Sequence, residues 1–247
     1  MITVVKQVAS IFRSIFYAYV NNVSSYPVIA IKVSKPDSAN RFTVYEPVIA
    51  YDRRGVPGYA AIPADMPESM KRAFLAWNEC DLVVQALLPS LEAKLSARIP
   101  GVRVDWLNVD IAPVFLFRNP DSDANVPDPT HSSFLITLPH NRGKYVADFT
   151  IEQFGFGEEC WFLPFEDYMT RTRDCLYEIY NFEERNLDLK FTFSEDRIKG
   201  QRLMRKLGRD LDWAIAEQLA ESDRAAVIDD MARRALYEEW VRWRAYA

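Results

Sequence analysis

The sequence predicts an α+β fold, with helices toward both ends and an antiparallel sheet between them. Three observations lead there. Apolar residues recur at helical spacing over residues 2–20, 67–97 and 195–245. Between residues 102 and 149 the pattern changes to short alternating runs separated by turn residues. The chain has only 8 glycines, and Gly155-Phe-Gly157 has neither the spacing nor the lysine of a phosphate loop, which disfavours a doubly wound nucleotide-binding sheet.

The elements follow in order. Val4, Val5, Val8, Ile11, Phe12, Ile15, Phe16 and Tyr19 make one stripe of a first helix over residues 2–20. Residues 1–36 contain no acid, and Lys6 and Arg13 interrupt any secretory apolar stretch. The expected role is packing on the core; a transit peptide or an amphipathic surface helix is the alternative. Residues 26–33 read as a strand. Proline and glycine punctuate residues 34–68, an irregular connection holding a short strand near 43–51 rather than a second domain. Pro89 is expected to end or kink the helix of residues 67–97 after Leu88. Gly101 introduces a strand over 102–111, followed by another at 114–117. Residues 119–130 form an acidic, proline-broken loop expected to border a cleft. Phe134, Ile136 and Leu138 mark one strand and residues 145–149 the next, joined by the tight turn Asn141-Arg-Gly143. Residues 165–185 read as mostly helical. In residues 195–245, Trp213, Leu219, Ile228, Leu236, Trp240 and Trp243 look buried, and Ser222-Asp223 offers an N-cap that splits the stretch into two helices. All of this is expected to form one domain, residues 1–247.

Composition narrows the function. The chain is 49% hydrophobic and 26% charged, ordinary for a globular protein. A formal net charge of -5 and a pI near 5.3 argue against a nucleic-acid partner. No run approaches the roughly 20 apolar residues of a membrane span. There are two histidines, His131 and His140, and the cysteines Cys80, Cys160 and Cys175 lack metal-ligand spacing, so no metal is expected. Three scattered cysteines are no disulfide framework, which points to a reducing, cytoplasmic setting; an organellar location through the basic N-terminal segment is the alternative.

The chemistry-bearing residues cluster around residues 78–153. Cys80 falls at a predicted helix start, where the dipole and free N–H groups favour a thiolate, although Glu79 and Asp81 oppose it. His131 opens one strand. Asp148 lies within the next apolar run, where aspartate is disfavoured, and a half-buried carboxylate there needs a partner. Paired strands would set His131 and Asp148 side by side, the arrangement that fixes an imidazole for general-base work. Asn78 and Gln153 are candidate oxyanion or substrate-binding groups. Each residue has a plainer reading: Cys80 as a small core residue, His131 as a strand cap, Gln153 as part of a surface turn. Cys160, next to Trp161, and Cys175, on the apolar side of a predicted helix, suit packing.

The order of cysteine at a helix start, histidine at a strand start and aspartate in the next strand resembles the papain-fold cysteine enzymes of the transglutaminase-like type. The block His131…Tyr145-Val-Ala-Asp148-Phe-Thr-Ile-Glu-Gln153-Phe-Gly155 is similar to that family's histidine strand and following aspartate strand. The intervals fit too, 131 − 80 = 51 and 148 − 131 = 17 residues. The resemblance covers about residues 70–168 and extends to blocks in fungal proteins of specialised metabolism. It implies a helix carrying Cys80 packed on a central antiparallel sheet, a core of about residues 67–168, and added N- and C-terminal helices, the latter about residues 195–245. It implies a Cys80–His131–Asp148 triad that transfers or hydrolyses the acyl group of a peptide or small-molecule amide or thioester without a cofactor. The chain departs from the family in lacking a small residue just before the cysteine, where Trp77-Asn-Glu stands, and in having no clear oxyanion glutamine upstream. Two other readings stay open: a catalytically silent binding module on the same fold, and an unrelated α+β interaction protein whose C-terminal helices dock a partner.

Overall fold

Apolar side chains surround the first helix, and the chain folds around it. The computed structural model describes residues 1–23, 28–33, 43–49, 65–118, 129–172, 176–189 and 195–246. In order these form α1 (Ile2–Asn22), β1 (Val28–Val33), β2 (Thr43–Ile49), α2 (Glu68–Leu75), α3 (Cys80–Ser96), β3 (Arg103–Asp110), β4 (Phe115–Phe117), β5 (Thr130–Thr137), β6 (Lys144–Ala147), β7 (Phe162–Pro164), α4 (Phe165–Arg171), β8 (Tyr177–Tyr180), α5 (Phe182–Leu189), α6 (Glu195–Asp210), α7 (Trp213–Gln218) and α8 (Glu221–Tyr246). The fold is mixed α+β, an antiparallel sheet flanked by helices.

The larger sheet has the strand order β7-β6-β5-β3-β8, with every neighbouring pair antiparallel. Its central strand β5 is buried along six of its eight residues, so both faces are covered and polar/apolar alternation is lost. A smaller sheet, β1-β2-β4, pairs β1 and β2 antiparallel and β2 and β4 parallel. Phe74 and Phe117 form a separate apolar cluster at this sheet, packed by Tyr45, Trp77 and Phe115.

The main core joins α1, α3, the large sheet, α6, α7 and α8 in one cluster. Val5, Phe12, Ile15 and Phe16 of α1 have no exposed surface, and Phe12 meets Trp213 with ring centroids 5.1 Å apart. Burial accounts for the scarcity of charge on this helix. Two of its serines are paired: Ser14 donates to the Ser10 carbonyl, and Arg224 of α8 donates to Ser10 Oγ. Among the described residues no helix is long and apolar enough to cross a membrane.

Several expectations are corrected. The helical spacing of residues 67–97 belongs to two helices, and the second runs through Pro89 to Ser96. Proline offers no N–H to the carbonyl four residues earlier. That carbonyl belongs to Gln85, and Arg205 of α6 donates to it at 3.1 Å, and to the Ala86 carbonyl at 3.3 Å. A side chain from another element replaces the missing donor. Residues 165–185 are interrupted by β8, which pairs with β3 despite its exposed Tyr177 and Ile179. The C-terminal stretch is three helices rather than two. Asp212 caps α7 by accepting from the Ile215 N–H, while α8 begins before Ser222. The acidic loop over 119–128, Cys175 and the side chains of Trp240 and Trp243 lie outside what the structure describes.

Because Phe12 fills the junction of α1 with α7, Phe12→Ala is expected to cost about 3–5 kcal/mol in urea unfolding. A loss below about 1 kcal/mol, within the range of ordinary surface substitutions, would show that this junction is not part of the core.

Candidate active site

The site lies where the first turn of α3 meets the start of β5 and the chain leaving β6. Cys80 is the first residue of α3 and is partly exposed. The first N–H groups of such a helix have no partner within it. His131 is the second residue of β5 and is fully buried. Asp148 follows the last residue of β6 rather than lying inside the strand, and its N–H donates to the Trp161 carbonyl.

Asp148 is fully buried, not half-buried as its sequence context suggests. Its Oδ2 lies 2.6 Å from His131 Nε2 and accepts from the Tyr168 hydroxyl at 2.8 Å. Its Oδ1 accepts from the Thr150 N–H at 3.1 Å and from Thr150 Oγ1 at 3.4 Å. Tyr168 is itself fully buried; burial first, then the charge of Asp148, push its phenol well above its ordinary pKa, so it stays a donor. The pattern of donors suits an ionised carboxylate, which accepts only.

The imidazole responds to both neighbours. Burial alone would lower its pKa; the charge and hydrogen bond of Asp148 outweigh that, the Cys80 thiol adds to them, and the result is about 10. With Nε2 held by Asp148, Nδ1 is the ring atom left for the thiol. Among the described residues Nδ1 makes no hydrogen bond of full geometry, while the Cys80 thiol contributes to the raised ring pKa. Phe154 stands edge-on to the ring at 4.7 Å between centroids.

Two further ties hold these elements in register. Asp81, beside Cys80, accepts from Ser132 Oγ at 2.5 Å, and Ser132 in turn accepts from the Trp106 indole at 2.8 Å. This chain fixes the first turn of α3 against the strand carrying His131. On the other side, Gln153 in the short 3-10 turn Ile151–Phe154 accepts from the Asn78 N–H at 3.0 Å. That donor fixes the orientation of the amide and leaves Nε2 on its far side, buried and without a partner among the described residues. The side chain of Asn78 is exposed, and its backbone N–H is already committed to Gln153. The same turn is anchored by buried Glu152, which pairs with Arg72 of α2 at 3.0 Å and with Arg13 of α1 at 3.7 Å and accepts from the Tyr17 hydroxyl.

The structure therefore brings Cys80, His131 and Asp148 together, with Gln153 and the Asn78 backbone alongside. Sequence reasoning missed Tyr168, Ser132 and Asp81 as supports, and saw Thr150 only as a polar group at the end of the strand of Asp148. A signal existed for one of them: Ser132 belongs to a run of four polar residues, Thr130–Ser133, that nevertheless opens a buried strand. Cys160 is buried in the core, with its sulfur 3.5 Å from Arg171. Among the described residues no group of histidine, cysteine and carboxylate side chains is arranged to hold a metal ion. No protein-family model matches the chain, and no curated protein or solved structure does.

Two outcomes follow. The folded imidazole titrates near 10 against an ordinary 6.5. Its stabilising effect is thus complete below about pH 6.5 and is lost as the pH rises through about 10. Unfolding free energy of the wild type is expected to fall over that interval more steeply than that of His131→Gln; equal slopes would contradict a raised imidazole pKa. Asp148→Leu, which its sequence context makes look tolerable, is now expected to cost about 3–5 kcal/mol, because it strips the acceptor from His131, Tyr168 and Thr150. Asp148→Asn keeps one acceptor oxygen and is expected to lose less. A leucine variant as stable as wild type would contradict the burial argument.

Proposed function

We propose that the chain is a cysteine-dependent acyl-transfer enzyme, with Cys80 as nucleophile, His131 as its acid–base partner and Asp148 as the group that orients and charges the ring. The observation that carries this reading is the buried His131–Asp148 pair set beside a thiol at a helix start. The same layout supports the papain/transglutaminase-like reading of the fold: a cysteine helix against an antiparallel sheet, histidine on one strand and aspartate at the end of the next.

The steps follow from the groups. The Cys80 proton passes to His131 Nδ1, and an imidazole that holds its proton up to about pH 10 favours the thiolate–imidazolium pair at neutral pH. Sulfur attacks the carbonyl carbon of an amide or thioester. The first N–H groups of α3 and the Gln153 Nε2, which has no partner among the described residues, are the donors proposed for the oxyanion. The bond to the leaving nitrogen or sulfur breaks as His131 returns its proton to that atom. In the acyl-enzyme Cys80 carries no charge, so one of the contributions that raised the ring pKa is gone. His131 is then a better base for the second nucleophile, water or an amine. That nucleophile loses a proton to the ring and takes the acyl group, and the thiolate departs. Substrates of this reading are acyl groups on peptides or small molecules.

A silent binding module has one observation in its favour, the missing full hydrogen bond at Nδ1. Labelling separates the two. Iodoacetamide at about pH 6 is expected to modify Cys80 ahead of Cys160 and Cys175, with His131→Ala slowing Cys80 alone. In parallel, a simple acyl thioester should be cleaved by wild type and not by Cys80→Ser. Equal labelling of the three thiols, or a Cys80 rate indifferent to His131→Ala, would count against an activated site.

A further inference from the structure

Arg197 lies in the first turn of α6, yet it reaches the turn that starts the helix of Cys80. Its guanidinium donates to the Asn78 carbonyl oxygen and lies 3.8 Å from Glu79 Oε1. Asn78 has φ 61°, the left-handed region that asparagine enters more readily than most residues with a Cβ. Side chains from elsewhere hold both of its backbone polar groups, Gln153 at the N–H and Arg197 at the oxygen. Glu79 occupies the N-cap position of α3, but its side chain makes no capping bond. The buried carboxylate instead accepts from the Tyr19 hydroxyl of α1 at 3.4 Å and faces Arg197 of α6.

Gly200, one turn beyond Arg197, allows this convergence. A Cβ at that position would meet the Tyr19 ring at 2.5 Å. The glycine lets α1 and α6 approach until Tyr19 and Arg197 reach the same carboxylate. We propose that Arg197 is a positioning residue for Cys80: by bridging the Asn78 carbonyl and the Glu79 carboxylate it fixes the left-handed turn before the nucleophile and makes thiol reactivity depend on the docking of α6. The proposal rests on the reading of Cys80 as nucleophile.

The bridge has a pH signature. Burial pushes the Glu79 carboxyl up to about 7, against the pull of Arg197 and Tyr19. Above that pH a buried negative charge stands next to Cys80, balanced by the guanidinium. Without Arg197 the carboxyl holds its proton to higher pH.

The experiment measures iodoacetamide labelling of Cys80 against pH in the full chain, for wild type, Arg197→Met, Arg197→Lys and Glu79→Gln, alongside their melting temperatures and thioester turnover. Wild type is expected to show an inflection near pH 7 that Glu79→Gln abolishes. Arg197→Met should move it upward and lower kcat by roughly tenfold to 100-fold, the scale of a small misplacement at a reacting group. Arg197→Lys should restore the inflection, through charge, but only part of kcat, because a point charge replaces a fork. If Arg197→Met leaves both labelling profile and turnover unchanged per folded molecule while wild-type Cys80 labels fast, this inference falls and the proposed function stands. If Cys80 of wild type labels no faster than Cys160, both fall. A lower melting temperature alone, with an unmoved inflection, reduces Arg197 to a structural role and overturns the proposal.

Discussion

A carboxylate with no exposed surface dictates much of this architecture. Asp148 can stay ionised in the interior only while donors surround it. His131, Tyr168 and both the N–H and hydroxyl of Thr150 supply them. These come from β5, α4 and the chain just after β6, so one side chain pins three segments to a common point. The imidazole gains its proton from the same arrangement. Stability and chemistry therefore draw on one set of contacts, and they cannot be varied independently.

Around that point the chain uses polar side chains where backbone pairing runs out. Ser132 links Asp81 to Trp106, Gln153 holds the Asn78 N–H, and Arg205 serves the Gln85 carbonyl that Pro89 leaves open. Glu152 draws Arg13, Arg72 and Tyr17 onto the short turn carrying Gln153. Ser132, Gln153 and Glu152 are buried, and the desolvation of each is offset by a partner from a distant part of the sequence. Such pairs select one docking of the helices over alternatives that an apolar core alone would also accept.

The readable and unreadable parts of the sequence divide along physical lines. Apolar spacing announces α1, most of α3 and the strands β3 to β6, because each puts apolar residues into the core. Asp148 was visible because a carboxylate in an apolar run has few innocent explanations, and His131 because an imidazole near it completes the pair. The depth of burial was not visible: coverage of both faces of β5 erases alternation, and a sequence does not say what lies across the sheet. Strand β8 was read as helix because Tyr177-Glu-Ile-Tyr180 takes its conformation from pairing with β3. The course of α3 through Pro89 depends on Arg205, more than a hundred residues away, a tertiary compensation no local rule anticipates. Tyr168, sitting on α4 within an otherwise unremarkable acidic segment, gave no sign that its hydroxyl reaches Asp148.

The embedding of α1 carries a consequence for how the molecule comes into being. Its partners lie at the far end of the chain: Gln7 reaches the Glu217 carbonyl across 210 positions, and Ser10 meets Arg224 across 214. The turn before Cys80 waits on Arg197, 119 positions after Asn78. Contacts so distant in sequence form late and slowly, because a long loop must close before they reward it. On the ribosome, Cys80 emerges well before the segments that bury its surroundings. A nascent chain thus presents an apolar first helix with no cover and a thiol with no organised neighbours. Reactivity at this position is a property that the polypeptide acquires last.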